Sequence, residues 1–198
     1  AILSFIGLLA LVIKTTLTSP NIINIAAVII FGISLILLYS ASATYHLVVS
    51  SDNVIAFLRK IDHSMIFILI AGSYTPFCLI GLKGIIGWIT FSVISTIAIC
   101  GVLFKMIWFN CPRWISTSIY IGMGWISIFI IVPLYNSIAL GGIALLVLGG
   151  ILYTIGAVIY GLKPRALKFK NLGFHEIFHI FILLGSLAHF FAVFKYVI

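Results

Sequence analysis

Residues 172 to 198 read LGFHEIFHIFILLGSLAHFFAVFKYVI, an apolar run that nevertheless carries His175, Glu176 and His179 near its start. At a rise of 1.5 Å per residue such a run spans the roughly 30 Å of a bilayer core, so it reads as a membrane helix. On a helix, residues four apart lie on one face about 5 to 6 Å apart, and His175 and His179 can both offer a nitrogen to one metal ion. Glu176 points roughly 100° away. As letters this is H-E-x-x-H, in which two histidines hold zinc and the glutamate is general base. The plain alternative is a set of polar side chains lining a helix-helix interface. Three ionisable groups within five residues are costly in lipid, which favours metal binding.

The rest of the chain fits that reading. Of 198 residues 64% are hydrophobic and only 7% charged, against about 25% charged in an ordinary soluble domain. Seven apolar runs repeat with short polar breaks, over Ala1–Leu17, Ile22–Val48, Ile61–Leu82, Ile85–Phe104, Trp114–Tyr135, Ile138–Leu162 and Leu172–Val197. They predict an all-α integral membrane protein, a seven-transmembrane helix bundle forming one domain over residues 1–198. The first run is short and starts without a polar leader, which predicts a native segment before it.

Charge gives the orientation. With a cytoplasmic N-terminus, the inner connections hold Arg59, Lys60, Lys105, Arg113, Lys163, Arg165, Lys168 and Lys170, eight of the eleven Lys and Arg. The outer side holds Lys14, Lys83 and Lys195. The positive-inside rule therefore places the N-terminus in the cytoplasm and the C-terminus outside, in a multi-pass protein of the cell (plasma) membrane. The net charge of +8 is then mostly a collar for anionic headgroups. Membrane lipids are the expected partners, and nothing calls for nucleic acid.

The polar residues inside the spans matter most. The second run ends Tyr39-Ser40-Ala41-Ser42-Ala43-Thr44-Tyr45-His46, where Ser42 and His46 share a face. Small residues there also suit a packing seam with His46 hydrogen-bonded across it. Asp62 opens the third span; it is either an interfacial partner of Arg59 or a carboxylate that faces inward and positions a water at a metal. The alternation of spans puts His46, Asp62, His175 and His179 at similar depth near the inner surface. Catalytic zinc takes three protein ligands plus water, whereas structural zinc takes four. His63 is expected to point off the Asp62 face, and His189, about 15 Å along its helix from His179, is too far to share an ion. A polar group in the outer half, with Tyr74 and Ser73 the candidates, is expected to meet His189. Pro76 should kink or loosen the third helix. Close packing is expected of the glycines in the fifth and sixth spans.

Ser42-x-x-x-His46, Asp62-His63, Gly72-Ser73-Tyr74-Thr75-Pro76 and Gly173-Phe174-His175-Glu176-Ile177-Phe178-His179, with His189 ten residues on, together resemble the hemolysin III family. That family is related to the adiponectin and progestin receptors and more distantly to alkaline ceramidases. The resemblance covers nearly the whole chain. It implies a seven-helix bundle with a zinc ion held by His46, His175 and His179, with Asp62 and Ser42 as supporting or water-positioning groups. Members usually carry a short leader with acidic residues before the first helix; the start at Ala1 departs from that pattern, in keeping with the native segment expected before it.

Three functional classes follow. The leading one is a zinc-dependent hydrolase of a lipid amide (ceramide-like) or ester bond, with Asp62 and Ser42 at the reacting centre. The second is non-enzymatic: a pore or cytolysin, as the family name suggests, or a sensor or receptor of membrane state with structural zinc. A pore needs a continuous polar path, and the outer halves of these spans are almost wholly apolar. The third, an intramembrane metalloprotease, needs a further ligand, and the only acids are Asp52, Asp62 and Glu176.

Overall fold

Backbone in hydrocarbon has to satisfy its own hydrogen bonds, so each apolar run folds as helix. The computed structural model describes residues 1–82, 84–108, 110–163 and 173–198, without the side chains of Arg113 and His175. Lys83, Arg165, Lys168, Lys170 and Leu172 lie outside the described residues. The helices are α1 (Ile2–Thr18), α2 (Ile22–Leu47), α3 (Asp52–Pro76), α4 (Gly84–Ile107), α5 (Arg113–Trp125), α6 (Ile128–Tyr135), α7 (Leu140–Leu162) and α8 (Phe174–Ala192), with no strand among the described residues. Among the described residues six spans are long and apolar enough to cross a membrane; α5 and α6 form one of them, over Trp114–Tyr135, and α1 is a shorter apolar helix.

Two helices run further than the hydropathy implies. α3 begins at Asp52, not Ile61, so Asp62 stands nearly three turns inside it instead of opening it. Ser51 is extended and Asp52 lies in the first turn, where an acid complements the helix dipole. Ile55, Ala56 and Leu58 are half-buried while Asn53 and Arg59 are exposed, so this extension is amphipathic and escapes a search for apolar runs. α4 continues past Phe104 to Ile107 and buries Lys105 at 4% exposure. This lysine belongs to the interior and not to the headgroup collar. At Pro76 the chain passes into a π-helical turn, Phe77–Gly81, closed by Leu82 N–H donating to the Phe77 carbonyl at 2.8 Å.

The chain folds as two compact units, Ala1–Asn110 with Val197–Ile198, and Cys111–Tyr196. In the first, α1 packs on α2, α2 on α3 and α3 on α4. Glycines set the approach: a Cβ on Gly72 would overlap Ser34, and one on Gly101 would overlap the Phe67 ring. In the second, α7 packs on α8 and α5, and Gly142, Gly149 and Gly156 lie under Tyr196, His189 and Phe181. A Cβ on Gly122, Gly124 or Gly150 would meet no described atom within 4 Å, so close packing among the described residues does not account for those three.

Candidate functional site

The contacts at Gly72 and Gly101 fix how far along each helix the polar residues of the first unit lie. α2 and α3 are antiparallel neighbours that touch at Ser34 and Gly72. Ser42 and His46 lie eight and twelve residues beyond Ser34, about 12 and 18 Å, and Asp62 lies ten residues before Gly72, about 15 Å. Asp62 is therefore level with the stretch from Ser42 to His46, as the alternation of spans implies for that pair. On the other side Gly101 touches Phe67; Lys105 and Asp62 lie four and five residues from that contact, about 6 and 7.5 Å. A buried lysine thus enters the same level from α4.

Asp62 is 5% exposed and Ser42 is 9% exposed, whereas His46, in the last turn of α2, is exposed and stacked at a tilt on Tyr45. His63 does not simply point away from Asp62. Its Nδ1 lies 2.9 Å from the Arg59 carbonyl oxygen one turn back and 3.4 Å from Asp62 Oδ2. A carbonyl oxygen can only accept, so Nδ1 is the donor. Spacing alone did not show this approach of His63 to Asp62; the signal in the sequence is its adjacency to the one buried acid.

In the second unit, α8 is continuous through residues 175 and 179, which places them one turn apart on one face. The side chain of His175 lies outside the described residues. His179 is half-buried against the Phe178 ring. Glu176, third residue of the helix, is exposed, and its Oε2 folds back over Gly173 at the helix start. A carboxylate there complements the N-terminal dipole, a different task from that of a buried general base. His189 is 5% exposed, sits flush on Gly149, makes an edge contact with Tyr153 and lies 3.3 Å from the Leu146 carbonyl.

Among the described residues, no three His, Cys, Asp or Glu side chains gather at metal-holding distance. The expected triad divides between the units and includes His175, so what the described residues supply towards zinc is chemistry and register. Within the second unit positions 175 and 179 lie one helical turn apart, and within the first His46 at a helix end is level with the buried Asp62; these are residue types that zinc sites use.

A family model described as Haemolysin-III related matches residues 1–190. The chain is 40% identical over 174 residues to the Hemolysin-3 homolog of Bacillus subtilis (strain 168), covering 87% of this chain and 78% of that protein. To Hemolysin-3 of Bacillus cereus it is 40% identical over 201 residues, covering 100% and 87%. A more distant match, 24% identical over 177 residues, is the human Monocyte to macrophage differentiation factor, with 84% of this chain and 68% of that protein covered.

Proposed function

We propose a function from the premise that this chain belongs to the haemolysin III-related family and is a multi-pass protein of the cell membrane: it is a zinc-dependent hydrolase of lipid amide, ceramide-like, or ester bonds. The observation that carries the proposal is Asp62, a carboxylate 5% exposed inside a membrane-spanning helix and level with Ser42 and His46. An ionisable group held there is expensive unless it is used. His46, His175 and His179 would hold zinc, which when bound supplies a Lewis acid able to polarise the scissile carbonyl or acidify water. Asp62 orients the attacking water, and Ser42, one turn from His46 and buried, offers a hydroxyl to the same region. With the N-terminus in the cytoplasm, this end of the first unit faces the inner leaflet, and a lipid substrate enters sideways from the bilayer.

The name Hemolysin-3, borne by the Bacillus cereus relative, favours a second reading as a cytolysin, a pore or a sensor with structural zinc. Purified protein in nanodiscs separates the two. The hydrolase reading expects one zinc per chain by mass spectrometry and release of fatty acid from ceramide or diacylglycerol that stops on chelation. Zinc without turnover, together with dye leakage from protein-bearing vesicles, would support the second reading and sink the first.

A further inference from the structure

We propose that Tyr160 is a positioning residue of the zinc site: its hydroxyl oxygen accepts the ring N–H of His179 and so turns the other ring nitrogen towards the metal. The metal rests on the zinc-binding reading above; the residue rests on the geometry of the seam between α7 and α8, which lies wholly within the second unit.

Positions 149, 153, 156 and 160 of α7 fall on one helix face, and positions 178, 181, 185 and 189 of α8 answer them. Starting from Gly149, the first three layers each set a large side chain against a glycine. Gly149 lies under the His189 ring, Gly185 under the Tyr153 ring and Gly156 under Phe181. Such alternation of large and small lets two helices pack closely. The fourth layer breaks it: Tyr160 meets Phe178, with ring centroids 5.1 Å apart and the planes at 38°. Packing accounts for a ring at 160 but not for its hydroxyl, and a tyrosine hydroxyl away from water is held where it has a partner.

The second layer shows where such a hydroxyl goes. Tyr153 lies over Gly185, and its hydroxyl is 2.9 Å from the next residue, Ser186. A shift of seven residues is within about 20° of two full helical turns. Applied to both helices, it carries Tyr153 to Tyr160, Gly185 to Phe178 and Ser186 to His179. Phe178 holds the tyrosine ring further from the α8 backbone than a glycine does, but an imidazole nitrogen also stands further from its Cβ than a serine hydroxyl. The two displacements offset. His179 flanks the same Phe178 ring, with centroids 5.5 Å apart, and is half-buried like Tyr160. A histidine that binds zinc through one nitrogen carries its proton on the other, and that N–H needs an acceptor. A phenol oxygen supplies one without adding a charge.

Two variants of the whole protein in nanodiscs test this. Tyr160→Phe removes the hydroxyl and keeps the ring on Phe178, and Tyr153→Phe makes the same change two turns away, at the bond to Ser186. Zinc affinity, measured by competition with a fluorescent chelator, should fall about 10- to 100-fold in Tyr160→Phe and keep its wild-type value in Tyr153→Phe. In nitrogen-15 NMR of histidine-labelled, metal-free protein, the ring signals of His179, assigned from His179→Gln, should move in Tyr160→Phe and stay in place in Tyr153→Phe. An unchanged affinity or an unmoved His179 signal in Tyr160→Phe overturns this inference and leaves the zinc reading intact, as does an equal effect from Tyr153→Phe. A wild type that binds no zinc overturns the zinc reading, and the positioning role falls with it wherever the hydroxyl points.

Discussion

Gly149 and Gly150 are neighbours on α7 with opposite surroundings, and replacing each by alanine should give opposite results. A Cβ on Gly149 would lie 2.5 Å from Cδ2 and Nε2 of His189, and ordinary contact begins at 3.4 Å, so the ring has to retreat by about 0.9 Å. Its Nε2 is already 3.3 Å from the Leu146 carbonyl, and a retreat of that size takes it out of hydrogen-bonding range. The edge contact with Tyr153, at 5.1 Å between centroids, is disturbed too, and with it the 2.9 Å bond from Tyr153 to Ser186. Overpacking costs about 1 to 3 kcal/mol and an interhelical hydrogen bond in a membrane protein about 0.6 kcal/mol, while alanine returns up to about 1 kcal/mol of helix propensity. The net loss for Gly149→Ala is about 2 kcal/mol, roughly 30-fold in the folded-to-unfolded ratio. A Cβ on Gly150 would meet no described atom within 4 Å, so Gly150→Ala should stabilise by about 0.5 to 1 kcal/mol. Reversible unfolding in mixed micelles with rising SDS, followed by helical circular dichroism, measures both. Adding His189→Ala to Gly149→Ala should cost less than the two separate losses together. Two alanine variants that shift alike, or a Gly149→Ala as stable as wild type, would refute the packing argument.

Asp62→Asn keeps shape and a hydrogen-bonding oxygen but removes the charge; it should fold and retain zinc at saturating metal while losing about 10²- to 10⁴-fold in hydrolysis. Coupled loss of zinc and of thermal stability would instead make Asp62 a fourth ligand in a closed, structural site. Zinc content measured by mass spectrometry should collapse in the His46→Ala, His179→Ala double variant and stay at one per chain in His189→Ala, because 189 lies about 15 Å along α8 from 179; the reverse pattern would discard the proposed ligand set. Glu176→Gln should leave hydrolysis unchanged, since that carboxylate is exposed and folds over Gly173; a dead variant with normal zinc would revive the metalloprotease reading.

What the sequence disclosed and what it hid divide along a physical line. Apolar runs disclose membrane helices because lipid leaves the backbone no other way to satisfy its bonds, and one-turn spacing disclosed the faces shared by His175 with His179 and by Ser42 with His46. Hydropathy is blind to the start of α3, since residues 52–60 earn their helix from a first-turn acid and an amphipathic face. Counting charges for topology likewise says nothing about which way a lysine faces. Gly101 was the available clue for Lys105: one turn apart, the two share a face, and Gly101 is the point where Phe67 of α3 comes closest. The approach of His63 to Asp62 is hidden for a different reason. Successive Cβ atoms on a helix diverge by about 100°, but that angle does not fix the direction of the whole side chain. An imidazole reaches further than its Cβ, and on a helix the carbonyl of residue i−4 lies within its reach when the ring folds back along the axis. Once Nδ1 is drawn to the Arg59 carbonyl, the ring lies beside the neighbour it was expected to avoid, and the pairing of Asp62 with His63 follows from backbone geometry that letter spacing does not encode.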